Sequence, residues 1–414
     1  MFSLLLAVIY AAFISLGLPD ILLGAAWPVM EQDLNVPLSF GGLLFMIISC
    51  GTILSSLLSD KITRRLGAGL VTAISVGLTA VALFGFSISR NYAQLCVMAV
   101  PFGLGAGAID AALNNYVALH YAARHMNWLH CFWGVGASIG PYIMGWVIQA
   151  NHGWRMGYGV VSSIQILLAI SLFFTLPLWK RQTGGPVSEK SAAPISLRKA
   201  VSLRGVKEVL LAFFCYCAFE STAILWASTY LVEFKAVDPE QAATFASLFL
   251  AGITLGRFIS GFVADRIGDK NMMRIGITVI VLGLALIMLP VSAALSALLG
   301  LILIGLGAAP IYPAIIHSTP TLFGKENSHA VVGIQMASAY VGSTLMPPLF
   351  GLIANHISVG LYPVYMTVIL LLMAMAGSAM AAEGTYIDLS ARDVVLSRVS
   401  ENLGCRFENA KYYC

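Results

Sequence analysis

The chain has 414 residues, of which 59% are hydrophobic and 10% are charged, and its formal net charge is +4. Soluble domains carry roughly 25% charged residues, so this composition excludes a typical soluble enzyme, a nucleic-acid binder and a disordered protein. It indicates an all-α integral membrane protein that lies in the lipid bilayer.

Twelve apolar runs follow one another along the chain, and each approaches the length of about 20 residues that a helix needs to cross the hydrocarbon core. These predicted spans lie at 4–29, 40–59, 69–88, 92–119, 128–149, 157–179, 208–232, 242–264, 274–291, 294–318, 330–353 and 362–382. The most hydrophilic interior stretch follows the sixth span and contains seven Lys and Arg residues. We therefore predict two six-helix halves, a linker and a tail, at 1–179, 208–382, 180–207 and 383–414 respectively.

The positive charges lie almost entirely on the linker side of these spans. Of the 23 Lys and Arg residues, only Arg90, Arg155 and Lys235 fall on the opposite side. Because Lys and Arg are retained in cytoplasmic loops, the linker and both termini are predicted to be cytoplasmic, in a bacterial-type inner membrane. In the tail, Ser390 and Asp393 have the spacing of a helix N-terminus and predict a short amphipathic helix ending before Gly404.

Span 1 carries Asp20 directly after Pro19, with Gly17 and Gly24 nearby. Proline and glycine interrupt regular helix, and membrane helices that form binding sites are often broken near the midplane. The sequence therefore predicts a break or bend in span 1 close to Asp20.

A short polar signature follows span 2 and recurs after span 8. The first copy runs from Ser56 through Asp60 to Arg64 and Arg65, and the second places Gly261, Asp265, Arg266, Gly268 and Lys270 at the same spacing. Repeated six-helix halves are a feature of transporters. Arg257, near the cytoplasmic end of span 8, is expected to reach towards Asp265.

Only Asp20, Asp110 and Glu220 are carboxylates well inside the predicted spans. An ionised acid at the bilayer centre costs at least about 2.5–3.5 kcal/mol, and burial favours the neutral form. Such a group can take up and release a proton as its surroundings change, so all three are predicted to couple transport to protons, with Asp110 as the main carrier. No Lys or Arg is expected mid-span to pair with them.

Other polar and aromatic side chains inside the spans complete a predicted cavity. Asn114 lies one helical turn after Asp110 and shares its face. His130 and Trp133 open span 5, while Gln165, Gln335 and Tyr340 are single polar residues in spans 6 and 11. The residues predicted to contact substrate are Asp20, Asn114, Asn115, His130, Trp133, Gln165, Glu220, Trp226, Tyr312 and Gln335.

The paired signature in a six-plus-six chain resembles the major facilitator superfamily over residues 1–382. That resemblance implies a cytoplasmic latch between the halves in an outward-open state. Its members would be Asp60, Arg64 and Arg65, with Asp265 and Arg266 as a weaker counterpart and Arg257 beside them.

A narrower resemblance, to the fucose-permease-like branch of sugar:proton symporters, involves four spans. It is carried by Pro19-Asp20-Ile21-Leu22-Leu23, by the run of Gly103, Gly105, Gly107, Asp110 and Asn114, by Asn127 with His130, and by Tyr312-Pro313. The fucose permease has Glu where this chain has Asp110, and an amide where it has His130.

Together these features predict secondary active transport of a small polyhydroxylated solute, such as a monosaccharide, by alternating access and with proton coupling. The expected lack of a mid-span cation argues against carboxylates or phosphate esters as cargo. No phosphate loop, metal-ligand spacing or catalytic set occurs, so we predict a monomeric carrier rather than an enzyme, with no cofactor. Two alternatives remain open: a proton antiporter that exports a drug or metabolite, and a non-transporting membrane receptor or scaffold.

Overall fold

The computed structural model describes residues 4–37, 39–182, 195–289, 293–382, 406–408 and 411–413. Within them, twelve helical segments are long and apolar enough to cross a membrane, which confirms the predicted fold class and number of spans. Two short strands, Arg406–Glu408 and Lys411–Tyr413, pair in antiparallel fashion. The amphipathic helix predicted between Ser390 and Gly404 lies outside the described residues.

Span 1 is broken into two helices, Leu4–Gly17 and Leu22–Leu34. Pro19 has no backbone N–H and its ring clashes with the preceding turn, so the chain passes from one helix to the next through turn hydrogen bonds, Asp20 N to Gly17 O and Leu22 N to Pro19 O. The predicted break is confirmed, and it places Asp20 in non-helical backbone.

The next five spans are continuous helices: Phe40–Leu66, Ala68–Ile88, Tyr92–His120, Ala123–Gln149 and Gly153–Gln182. Span 2 continues beyond its predicted end at 59, because the polar last turns stay helical. There Arg64 forms an ion pair with Asp60 one turn earlier, a spacing that stabilises helices.

The second half begins after a short helix in the linker, Leu197–Val201. Its helices are Val206–Glu233, Pro239–Ile267, Asp269–Met288, Ala293–Ala308, Ile311–Phe323, Lys325–His356 and Tyr362–Ala382, with a 3₁₀ turn at Val359–Leu361. Ala293–Ala308 and Ile311–Phe323 together form span 10, which is interrupted at Pro310.

Glycines on span 4 bring it very close to span 2. A Cβ atom on Gly103 would meet the carbonyl oxygen of Ile48, and one on Gly107 would meet that of Thr52. Only a residue without a side chain fits at such approaches. The contact fixes the rotation of span 4 and leaves Asp110, further along the same helix, on the wall of the central cavity.

Candidate functional site

A cavity of about 1020 Å³ lies between the two halves. It runs from the broken part of span 1 along span 2 as far as Ser39, at the end of that span away from the linker. The residues with polar or aromatic groups that line it near mid-membrane include Asp20, Asp110, His130, Trp133, Glu220, Arg257, Tyr312 and Tyr340. The cavity therefore brings together the three intramembrane acids that the sequence singled out.

Asp110 is the centre of a buried hydrogen-bond network. Its side chain is 5% exposed, and its carboxylate accepts from Asn114 Nδ2 at 2.7 Å and from the hydroxyl of Tyr340 at 2.6 Å. Asn114 Oδ1 lies 2.9 Å from Nε2 of His130. Since Tyr340 belongs to span 11, the carboxylate of span 4 is bonded directly to the opposite half.

Asp20 is exposed to the cavity and has one polar partner from another span. The indole N–H of Trp133 donates to its Oδ2 at 3.2 Å. The non-helical backbone around Pro19 turns this carboxylate into open space, where a solute hydroxyl can reach it. Trp133 thus combines a donor with an aromatic face beside the acid.

Glu220 pairs with Arg257, which corrects two expectations from the sequence. Arg257 Nη2 lies 3.1 Å from Glu220 Oε1, whereas Asp265 pairs with Arg124. Arg257 is 2% exposed and its guanidinium carbon lies 5.6 Å from the ring centroid of Trp133. A mid-membrane cation therefore does line the cavity, because the side chain turns inward to Glu220 instead of towards the cytoplasmic end.

Five side chains predicted to contact substrate lie outside the cavity lining among the described residues: Asn114, Asn115, Gln165, Trp226 and Gln335. Each has at least one hydrogen bond to the protein itself, although the amide nitrogen of Gln335 has no partner among the described residues. Gln165 bonds to Ser15 on span 1, and Trp226 donates to the carbonyl oxygen of Pro347. Asn114 bonds to Asp110 and lies 2.9 Å from His130, so it lies behind the cavity wall and does not line it.

On the linker side, the two halves are held together by polar contacts. Arg64 bonds to Asp60 and also donates to the carbonyl oxygen of Glu326 at 2.6 Å, joining span 2 to span 11. Arg124 forms an ion pair with Asp265 at 2.6 Å, joining span 5 to span 8.

Deeper on the same side, Asn115 bonds to His329 at 2.8 Å and accepts from the hydroxyl of Ser328. Sequence reasoning missed these partners, since residues more than 200 positions apart carry no pattern that links them. Arg65 and Arg266, predicted as latch members, are exposed.

Gly261 begins the second copy of the repeated signature and packs against the other half. A Cβ atom there would collide with the indole ring of Trp128, whose N–H donates to Phe258 O at 3.3 Å. We expect Gly261→Ala to push the halves apart on the linker side. Overpacking costs about 1–3 kcal/mol, which corresponds to a shift of about 5-fold to about 150-fold in the ratio of closed to open forms.

Electron paramagnetic resonance distances between spin labels at positions 65 and 266, in a background without native cysteines, measure this shift. Gly77→Ala is the matched control, because a Cβ at Gly77 meets nothing within 4 Å. If the distance distribution of Gly261→Ala equals that of the control, the contact between Gly261 and Trp128 does not keep the linker side closed.

Comparisons with known proteins agree with this architecture. A family model described as Major Facilitator Superfamily matches residues 4–237 and also residues 209–383. The cis,cis-muconate transport protein of Acinetobacter baylyi is 22% identical over 374 residues, which cover 84% of this chain and 88% of that protein. The glucose/mannose transporter GlcP of Bacillus subtilis is 23% identical over 363 residues, covering 84% and 87%.

Among solved structures, the fucose:proton symporter FucP of E. coli superposes with a TM-score of 0.73 at 17% identity, covering 90% of this chain and 98% of FucP. At this level of identity the superposition shows a common fold.

Proposed function

The chain belongs to the Major Facilitator Superfamily of membrane transporters, and on that premise we propose that it carries a small polyhydroxylated solute together with protons, by alternating access to the central cavity. The halves 1–179 and 208–382 would rock about this cavity, joined by the linker 180–207. With the linker, the tail 383–414 and both termini in the cytoplasm, the described state has its cytoplasmic side closed and its cavity facing outward. The carrier would act as a monomer in the inner membrane.

The observation that carries this proposal is the bond between Asp110 and Tyr340 across the two halves. An ionised carboxylate accepts hydrogen bonds at both oxygens, whereas a protonated one gives up part of that capacity to its own O–H. Protonation of Asp110 therefore weakens a contact between the halves. The charge of one group is thereby coupled to the movement that transport needs.

The cavity wall also suits a solute with several hydroxyl groups. Asp20 offers carboxylate oxygens as acceptors, while the Trp133 indole and the Tyr312 ring offer faces on which a sugar ring can stack. A relative named for glucose and mannose transport supports the sugar class, and a protein of the same fold is named a fucose:proton symporter.

Uptake into proteoliposomes under an imposed proton gradient of either sign tests this function. We expect a labelled monosaccharide or sugar acid to accumulate when the outside is acidic and not when the gradient is reversed. Accumulation only under the reversed gradient would favour the antiporter. Binding without flux under both gradients would favour a receptor or scaffold.

A further inference from the structure

Arg257 is a buried cation whose hydrogen-bonding capacity is largely unused. Its side chain lines the cavity and is 2% exposed. Glu220 engages only Nη2, and among the described residues neither Nε nor Nη1 has an acceptor in good hydrogen-bond geometry. The hydroxyl of Tyr216 lies beside the guanidinium but is itself left without a well-placed partner in the described part of the chain. Buried donors are normally satisfied, and one left without an acceptor is costly. Two such donors on one guanidinium, at the edge of a cavity, point to an acceptor that arrives with the solute.

The chemistry of the guanidinium narrows the identity of that acceptor. Its planar fork matches the two oxygens of a carboxylate, and such pairs are stronger than bonds to neutral hydroxyls. The rings of Trp133 and Tyr312 lie 5.6 and 6.0 Å from its central carbon, so a solute bound there would lie next to aromatic faces. A neutral sugar hydroxyl would leave most of the positive charge uncompensated once Glu220 is neutral.

We propose that the solute carries a carboxylate and that Arg257 binds it, so that the cargo is a hydroxy acid such as a sugar acid. The inference rests on the proposed function, because it names the substrate class of the same cavity. It replaces the expectation, drawn from the sequence, that the cavity lacks a cation for an anionic solute.

Glu220 couples this binding to protons. In the empty cavity the carboxylate of Glu220 forms an ion pair with Arg257. Uptake of one proton converts Glu220 to a neutral carboxyl group. The guanidinium of Arg257 is then free to bind the carboxylate of the solute. One proton and one carboxylate together add no net charge to the cavity, and release of both restores the ion pair. The titratable and charged groups that face Glu220 from its own and neighbouring spans are Arg257, Tyr216, Cys217, Asp20 and Tyr312.

Matched pairs of ligands test the substrate class on the purified full-length protein. The panel consists of D-glucuronate with D-glucuronamide, D-gluconate with D-sorbitol, and D-galacturonate with D-galactose, measured by thermal shift and isothermal titration calorimetry. We expect at least one acid to bind about tenfold or more tightly than its neutral partner. If the neutral members bind as well as the acids, the carboxylate inference is overturned while the polyhydroxylated carrier stands. If no member binds, both are overturned.

Variants of the ion pair then assign the effect to Arg257. We expect Arg257→Gln to lose about tenfold or more in affinity for the acid and little for the neutral partner. Arg257→Lys keeps the positive charge but lacks the planar guanidinium, so its affinity for the acid is expected to lie between those of wild type and Arg257→Gln. It replaces Arg257→Gln in the experiment if that variant does not fold. Glu220→Gln is expected to bind the acid at least as tightly as wild type, with affinity that no longer rises on acidification.

Arg90→Gln and Glu233→Gln, at exposed positions, are the matched controls and leave binding unchanged. If Arg257→Gln and Arg257→Lys lose as much affinity for the neutral ligand as for the acid, the assignment of carboxylate binding to Arg257 is overturned.

Discussion

Asp110→Asn is expected to reduce proton-driven accumulation of the solute strongly while leaving exchange of solute across the membrane. Asparagine has nearly the same shape and still offers an oxygen to Tyr340, but it cannot take up or release a proton. The hydrogen bond between position 110 and Tyr340 then has the same strength throughout the transport cycle. The proton gradient can therefore no longer change this contact between the halves. We expect the accumulation ratio in proteoliposomes to fall, because the proton on Asp110 no longer contributes, and to reach about one when Glu220→Gln is added to Asp110→Asn.

Glu233→Gln provides the matched control for this experiment, since it removes an acid at the exposed end of span 7. Its accumulation should equal that of wild type. Full accumulation by Asp110→Asn would remove Asp110 from proton coupling, whereas loss of exchange together with accumulation would indicate damage to solute binding or to the fold.

The ion pair between Glu220 and Arg257 gives the second large expected effect, on stability. Removing one partner of a buried pair leaves an uncompensated charge and costs about 3–5 kcal/mol, whereas replacing both partners is often close to neutral. We expect the free energy of unfolding to fall less in Arg257→Gln than in Glu220→Gln. In Arg257→Gln the remaining Glu220 can become neutral by taking up a proton, whereas in Glu220→Gln the remaining Arg257 stays charged. The double variant should recover most of the loss.

Unfolding titrations with a denaturing detergent, on both single variants and the double variant, complete the cycle that isolates the pairwise energy. The exposed ion pair between Arg124 and Asp265 is a useful comparison, since pairs at the surface contribute about 0.2–1 kcal/mol. Strictly additive losses at positions 220 and 257 would contradict the interaction seen in the structure.

The fold was accessible from the sequence because membrane insertion imposes strong constraints. Each span needs a long apolar run, and Pro19 and Pro310 mark the breaks in spans 1 and 10 through their missing N–H groups. The three acids were found for the same reason: a carboxylate in an apolar run is costly and therefore conspicuous. Their meeting in one cavity required the three-dimensional structure.

Contacts between spans that are distant in the sequence could not be predicted from the sequence. Arg257 was expected to reach towards Asp265, since both lie on span 8, but Glu220 of span 7 attracts it inward. Likewise Asn115, adjacent to a helix face that includes Asp110, was expected in the cavity, whereas it bonds to His329 in the linker-side closure. In both cases side-chain direction depends on how the halves pack, which periodicity within one helix does not encode.

Proton movement measured together with solute movement tests the central claim most directly. Proteoliposomes with an internal pH dye and no imposed gradient receive a solute that the binding panel has identified. The account predicts acidification of the interior in step with solute entry, and its absence when Asp110→Asn and Glu220→Gln are combined. Solute entry into wild-type vesicles without any change of internal pH would contradict proton coupling through the cavity acids.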